Sequence, residues 1–372
     1  MKSALAPTLD KSFGDYYVLW YANSNSYSIV DGNFKDILDL YLGAPDLNAF
    51  QNELNHLSAK EVQNIKAKLD SYLSSCQVEQ DSTNHFDATF DKNHRNLSKT
   101  YKIGDNSFRL YSDRKQVEDA LHPSLAQYEI QDVNKVNTVF DVYLNENNLH
   151  LFQNEALLLA VPKTEYHFIQ GKFHMAVSNL IHHKNETDWL GTLHGSTITN
   201  GDTALLFIGN SGSGKSTLCS LLVAHGYSLL ADDISPLAKS NTHVYYNPAA
   251  ISIKENAFKI IEPLLPQIKT LPDVFFNPSK GVLKYLPCPK PEQLHYPCNA
   301  IVLVNYNPES TTQLETISVK EVLETIIPDS WLHPGIAYAG AFLNWLSTTS
   351  FYKLTYSDTD SMVKTISDLF KA

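Results

Sequence analysis

Residues 209–216, Gly-Asn-Ser-Gly-Ser-Gly-Lys-Ser, have the types and spacing that hold a nucleotide's phosphates. The pattern G-x-x-x-x-G-K-[ST] carries meaning only between a strand and a helix. Both are expected here. The apolar run Ala204–Ile208 reads as a buried strand, and Leu218, Leu221 and Leu222 recur at helical spacing until Gly226. Glycines allow the backbone to curl until successive N–H groups point inward, and the helix N-terminus adds about half a positive charge. Gly209, Asn210, Ser211, Gly212, Ser213, Gly214, Lys215, Ser216 and Thr217 are therefore the candidate nucleotide-binding residues. Lys215 would reach the outer phosphates, and the Ser216 hydroxyl would ligate Mg²⁺.

A dozen residues later the short apolar stretch Tyr227-Ser228-Leu229-Leu230-Ala231 ends in Asp232-Asp233. Adjacent residues at a strand end point to opposite sides, so the two carboxylates can take different tasks. One could help hold Mg²⁺ while the other accepts the proton of an attacking hydroxyl. Asp233 is the candidate metal ligand alongside Ser216, and both aspartates are candidate catalytic groups. The plainer alternative is a solvated turn with a helix cap, which Ile234-Ser235-Pro236 would suit.

The elements upstream decide what else can reach this site. Leu193-His194-Gly195-Ser196-Thr197-Ile198 precedes the phosphate-loop strand by the turn Thr199-Asn200-Gly201-Asp202, which predicts a hairpin. That hairpin could carry His194 toward the loop, where an imidazole titrating near pH 6.5 can orient or share a proton with a carboxylate. A strand-end histidine satisfied by backbone is the structural alternative.

The stretch from Leu193 to Asp233, with histidine, strand, phosphate loop, helix and Asp-Asp strand in that order, resembles the HPr kinase/phosphorylase family. The resemblance implies an α/β P-loop kinase core akin to phosphoenolpyruvate carboxykinase, with ATP- and Mg²⁺-dependent phosphorylation of a serine hydroxyl. It maps acceptor-side roles to His194 and to Asp232 or Asp233, and implies self-association. No stretch like the family's downstream E-I-R-G-[LI]-G segment is present, which disfavours HPr itself as substrate and reversal by phosphorolysis.

Composition bounds the alternatives. The chain has 372 residues, 43% hydrophobic and 19% charged, and a net charge of −11. An acidic surface argues against extended nucleic-acid contact. All three arginines, Arg95, Arg109 and Arg114, precede the phosphate loop, so cationic help from the C-terminal half must come from lysine or another subunit. The segment Asn277–Tyr285 reads as a loop whose Lys280 and Lys284 could close over the triphosphate or the acceptor; a solvated lysine loop is the bland reading. Cys76, Cys219, Cys288 and Cys298 show no zinc spacing, which suits a reduced cytoplasmic protein. No apolar run reaches the roughly 18 residues of a membrane span, and the N-terminus lacks an apolar signal core.

Four regions are expected. Residues 1–80 read as a hairpin around Asn23–Ser26 followed by three helices, the last opened by the capping box Ser58-Ala59-Lys60-Glu61. This small winged-helix-like α+β domain resembles the PqqD-type peptide-recognition domain, which implies a leader peptide adding as a strand beside the hairpin; a purely structural or dimerising role is the alternative. Residues 81–98 read as a linker. Residues 99–185 read as a β-rich lobe with a helix over Phe173–Ile181, capped at His182-His183 rather than using that pair for metal. Residues 186–372 are expected to form the kinase core, with strands at Val244–Pro248, Ala300–Val304 and Phe351–Tyr356.

The function expected is a serine kinase acting on a precursor peptide, or on free serine if the front domain binds no leader. A nucleotide-responsive binding protein without turnover, or an NTP hydrolase driving a conformational cycle, are the rivals. The Asp232-Asp233 pair weighs against the first, since binding alone needs no general base.

Overall fold

The computed structural model describes residues 4–78, 87–131, 135–275 and 281–371, and shows a mixed α/β chain. Its N-terminal unit is an antiparallel sheet of Leu9–Phe13, Tyr16–Tyr21 and Ser26–Asp31, followed by the helices Gly32–Gly43, Leu47–Glu53 and Ala59–Cys76. Each helix begins where a short polar side chain can accept from its free N–H groups: Asp31 from Phe34, Asp46 from Ala49, and Ser58 from Glu61 in a reciprocal capping box. The first strand, Leu9–Phe13, was not expected from sequence; Asp10, Lys11 and Ser12 hide its alternation.

Strand Tyr16–Tyr21 is buried on both faces, and this decides how the unit sits. Leu19 and Tyr21 pack on Leu38, Tyr41, Phe50 and Leu69, while Val18 joins the main core. On that second side the Tyr27 ring meets Phe342 edge-on at 5.5 Å, and Asn25 Nδ2 donates to Leu332 O at 2.9 Å. The unit is seated on the helix Ile336–Ser347 rather than tethered at a distance.

The second region is a six-stranded sheet in the order Glu129–Ile130, Leu97–Ile103, Asn106–Ser112, Thr138–Asn145, Asn148–Gln153, Ala156–Pro162. The helices Lys115–Leu125 and Tyr166–His182 cover it, the first of them unexpected because Pro123 interrupts its last turn. His183 ends the second helix in a left-handed cap at φ 51°, as expected.

The third region is a ten-stranded sheet. Parallel pairing joins Ala204–Ile208 to the far half of the long strand His295–Tyr306, and that half to Ser350–Tyr356. Ser196–Thr199 pairs antiparallel with Ala204–Ile208 on one side and Ser228–Ala231 on the other, which is the expected hairpin. Gly195 separates Trp189–His194 from Ser196–Thr199, and a Cβ there would lie 2.6 Å from Phe207 O. Only glycine lets the chain cross so close to the phosphate-loop strand.

A small sheet of Ile251–Lys254, Val282–Leu286 and Val274–Phe275 stands beside the core. Part of the expected lysine loop is thus a strand, because Val282, Leu283 and Leu286 supply enough apolar surface to pair it. Among the described residues no helix is long and apolar enough to cross a membrane.

Candidate functional site

The strand Ala204–Ile208 is buried throughout and delivers the chain to the loop at its C-terminal end. Gly209, Gly212 and Gly214 take φ values of 147°, 88° and 100°. Those values favour glycine, and at Gly209 and Gly214 the space does too. A Cβ on Gly214 would stand 3.0 Å from both Tyr306 Cβ and Tyr356 Oη. Neighbouring strands fix the loop: Tyr306 N donates to Ser213 O at 3.0 Å, and Tyr356 Oη to Gly214 O at 3.4 Å. The helix Lys215–Ala224 follows directly, so its first N–H groups face the loop's concavity.

Within this cradle Asn210 and Ser211 are exposed, while Ser213, Ser216 and Thr217 are half-buried. Ser213 Oγ is buried without a partner among the described residues. Lys215 is buried, and its Nζ donates to Gly209 O and, at 3.5 Å, to Asn210 O. The lysine therefore lies folded along its own loop, at the mouth of the space the glycines keep open. Three left-handed glycines, an orphaned hydroxyl, a looped-back lysine and a helix N-terminus fit a polyphosphate.

Asp232 ends the strand Ser228–Ala231 and is 4% exposed. Its Oδ1 accepts from Ser196 Oγ at 2.6 Å and its Oδ2 from Ser252 N at 3.1 Å. Burial first, and then the neighbouring Asp233 charge, push its carboxyl up to about 7, against the Ser196 and Ser252 donors and Lys215, which pull it down. A carboxylate poised there can take or hold a proton near neutral pH.

Asp233 is half-buried and lies at the centre of a three-residue turn closed by Ile234 N on Asp232 O at 2.7 Å, with φ 60°. That left-handed turn is rare and strained for a residue with a side chain.

His194 ends the strand Trp189–His194 opposite Ile234, and Gly195 N donates to Asp233 O at 3.3 Å. Pairing of Trp189–His194 with the strand Ile234–Ala238, not the hairpin itself, thus brings the His194 backbone beside the aspartates. Its own N–H donates to Ser330 Oγ at 2.9 Å, and among the described residues its ring bonds to neither carboxylate.

Lys284 does not reach the loop. It lies on the strand Val282–Leu286, where Nζ donates to Ile268 O at 3.0 Å and Lys269 O at 3.3 Å and pairs with Asp273 at 3.5 Å. Lys280 lies outside the described residues. The lysine that the structure brings to the loop is the exposed Lys254, whose Nζ donates to Ser211 Oγ at 3.2 Å. None of the arginines takes that place: Arg95 grips Asp141 at 2.6 and 2.9 Å, Arg109 donates to Thr100 Oγ1 at 3.2 Å, and Arg114 pairs with Asp113 at 2.6 Å.

The walls around the aspartates were not legible from motifs. Tyr285 is held up to about 12 by burial and by both carboxylates. His174, on the helix Tyr166–His182, is pushed down to about 4 by burial, with Asp233 acting against that. Its Nε2 meets Ser124 Oγ at 3.2 Å; Ser124 Oγ also donates to Leu121 O at 2.9 Å, which leaves the imidazole as the donor and its Nδ1 as a buried acceptor. Ser124 O in turn accepts from Ala250 N at 2.8 Å, two residues before Ser252. The second region thereby supports the backbone that holds Asp232.

No family model matches the chain, and no curated protein matches it. Among solved structures it is similar to the Hpr(Ser) kinase/phosphatase from Coxiella burnetii, at 10% identity and a TM-score of 0.23, over 48% of this chain and 88% of that one.

Proposed function

We propose that the chain is an ATP- and Mg²⁺-dependent kinase that phosphorylates a serine hydroxyl. The observation that carries this reading is the juxtaposition of a glycine phosphate cradle ending in Lys215 with a buried Asp232 whose carboxyl sits near pH 7. A phosphate cradle alone would suit a binding protein. A carboxylate fixed by two donors and tuned to neutral pH adds a proton acceptor, which binding does not require.

The residues divide as follows. Backbone N–H groups of Gly209–Thr217 and Lys215 would hold the β- and γ-phosphates, with Lys254 adding charge from the neighbouring strand. Ser216 and Asp233 would ligate Mg²⁺, which neutralises charge on the phosphates when bound. Asp232 would accept the acceptor's proton, oriented by Ser196 and Ser252 N, while His194 would hold the acceptor at the rim. Catalysis then comes mostly from positioning and charge neutralisation, as phosphoryl transfer requires.

The acceptor is a serine in a precursor peptide held through the N-terminal unit. The order of three strands and three capped helices supports a peptide-recognition role for that unit, and its seating on Ile336–Ser347 would keep a bound peptide attached to the kinase core. Free serine is the second reading, favoured if the unit only buttresses that helix. Phosphorus NMR of the full chain with Mg·ATP and serine-containing acceptors separates the classes. Phosphoserine with ADP supports the kinase; inorganic phosphate with ADP indicates a hydrolase; unchanged ATP at saturating binding indicates a nucleotide sensor.

A further inference from the structure

We infer that a second site, in the β-rich region, binds a medium-chain carboxylate. A cavity of about 320 Å³ lies between the helices Lys115–Leu125 and Tyr166–His182 and the strands Thr138–Asn145 and Asn148–Gln153. Cores normally leave few voids larger than a water molecule, whereas small-molecule pockets begin near 300 Å³ with apolar walls and a few polar groups. Val117, Leu121, Val142 and Ile169 line it, and each is otherwise a well-buried core residue.

The polar groups of the lining point to the sign of the ligand. They are Arg114, Lys163, Gln116, Gln170 and Tyr166, two cations, two amides and a phenol with no acid, in a chain that carries 40 acidic and 29 basic residues. The charge of Arg114 is shared with Asp113 at 2.6 Å, and Gln170 Nε2 donates to Ala120 O at 2.6 Å. Lys163 Nζ donates only to the neutral Asn147 Oδ1, at 3.1 Å, among the described residues. A single exposed ammonium above an apolar hollow suits one anionic head on one apolar body.

An aliphatic chain fits this hollow better than a peptide segment. Peptide N–H and C=O groups inserted among Val117, Leu121, Val142 and Ile169 would lack partners, and each would be costly to desolvate. An alkyl chain brings no such groups, and its carboxylate stays at the Lys163 rim.

The test is calorimetric titration of the full chain with hexanoate, octanoate, decanoate and decan-1-ol, below their aggregation limits. Affinity should rise about three- to fourfold per methylene, and decanoate should bind at least fivefold more tightly than the alcohol. Lys163→Gln, an exposed change that leaves the core intact, should erase that preference. Val142→Trp should abolish binding by filling the hollow, with folding checked by circular dichroism. Absence of binding, affinity independent of chain length, or a carboxylate preference that survives Lys163→Gln would each overturn the assignment.

Discussion

Ser196 Oγ donates to Asp232 Oδ1 across 2.6 Å, joining the strand before the phosphate loop to the strand after it. Both groups are buried, so the bond is shielded from water and the carboxylate has one fixed orientation. Ser196→Ala should therefore cost about 1–3 kcal/mol, the range for a buried acceptor deprived of its donor, measured by urea unfolding. It should also raise the Asp232 carboxyl further, moving the rise of phosphoryl transfer with pH to more alkaline values. A stability loss with an unmoved pH profile would leave the bond structural only.

Asp232 makes opposite demands on stability and activity. Its folded carboxyl value of about 7 lies above the ordinary 3.8, so the folded chain holds the proton more tightly than the unfolded chain. That contribution is complete below about pH 3.8 and is lost as pH rises through about 7. Asp232→Asn removes the titration, so the variant's stability relative to the parent should improve from pH 5 to pH 8. Thermal unfolding at the two pH values reads the difference; an offset that does not change with pH contradicts the burial of an ionisable group there.

Gly214 takes φ 100° with Tyr306 and Tyr356 3.0 Å from where a Cβ would stand. Gly214→Ala should cost about 1–3 kcal/mol through backbone strain and weaken Mg·ATP at least tenfold. Gly226, at φ 93° with open space around its Cβ position, is the control. Gly226→Ala should carry the conformational cost without the loss of nucleotide affinity, measured by fluorescence titration with a labelled ATP analogue.

Lys215 and Lys254 approach the loop from different elements and should be separable. Lys215→Gln should cut transfer by at least a hundredfold, because the residue stands at the mouth of the cradle. Lys254→Gln should lower affinity severalfold with a smaller effect on turnover, since it is exposed and its Nζ meets the loop through Ser211 Oγ. Lys284→Gln should leave the kinetics unchanged, because its Nζ is committed to Ile268 O and Lys269 O.

What the sequence made legible follows from range. The phosphate loop, its flanking strand and helix, the Asp232-Asp233 strand end and the capping box at Ser58 are local patterns, and each appears where its residues predict it. The donors to Asp232 are not local. Ser196 lies 36 residues before it and Ser252 N 20 residues after, so only strand pairing reveals them. Lys254 meets Ser211 across 43 residues for the same reason. Lys284 was misplaced because a five-residue strand between turns looks like a loop until its partner Ile251–Lys254 is known. His174, in mid-helix, carries no motif at all; its bond to Ser124 spans 50 residues.

The central claim is that Asp232 serves phosphoryl transfer to a serine hydroxyl, and intact mass spectrometry tests it most directly. The full chain and its Asp232→Asn variant are incubated with Mg·ATP and either free serine or peptides encoded beside the gene. A phosphate-sized mass gain on an acceptor serine with the parent, absent or at least a hundredfold slower with the variant at equal ATP affinity, is the predicted result. Equal phosphorylation by both proteins, or no acceptor gain by the parent while ATP is bound, would contradict it.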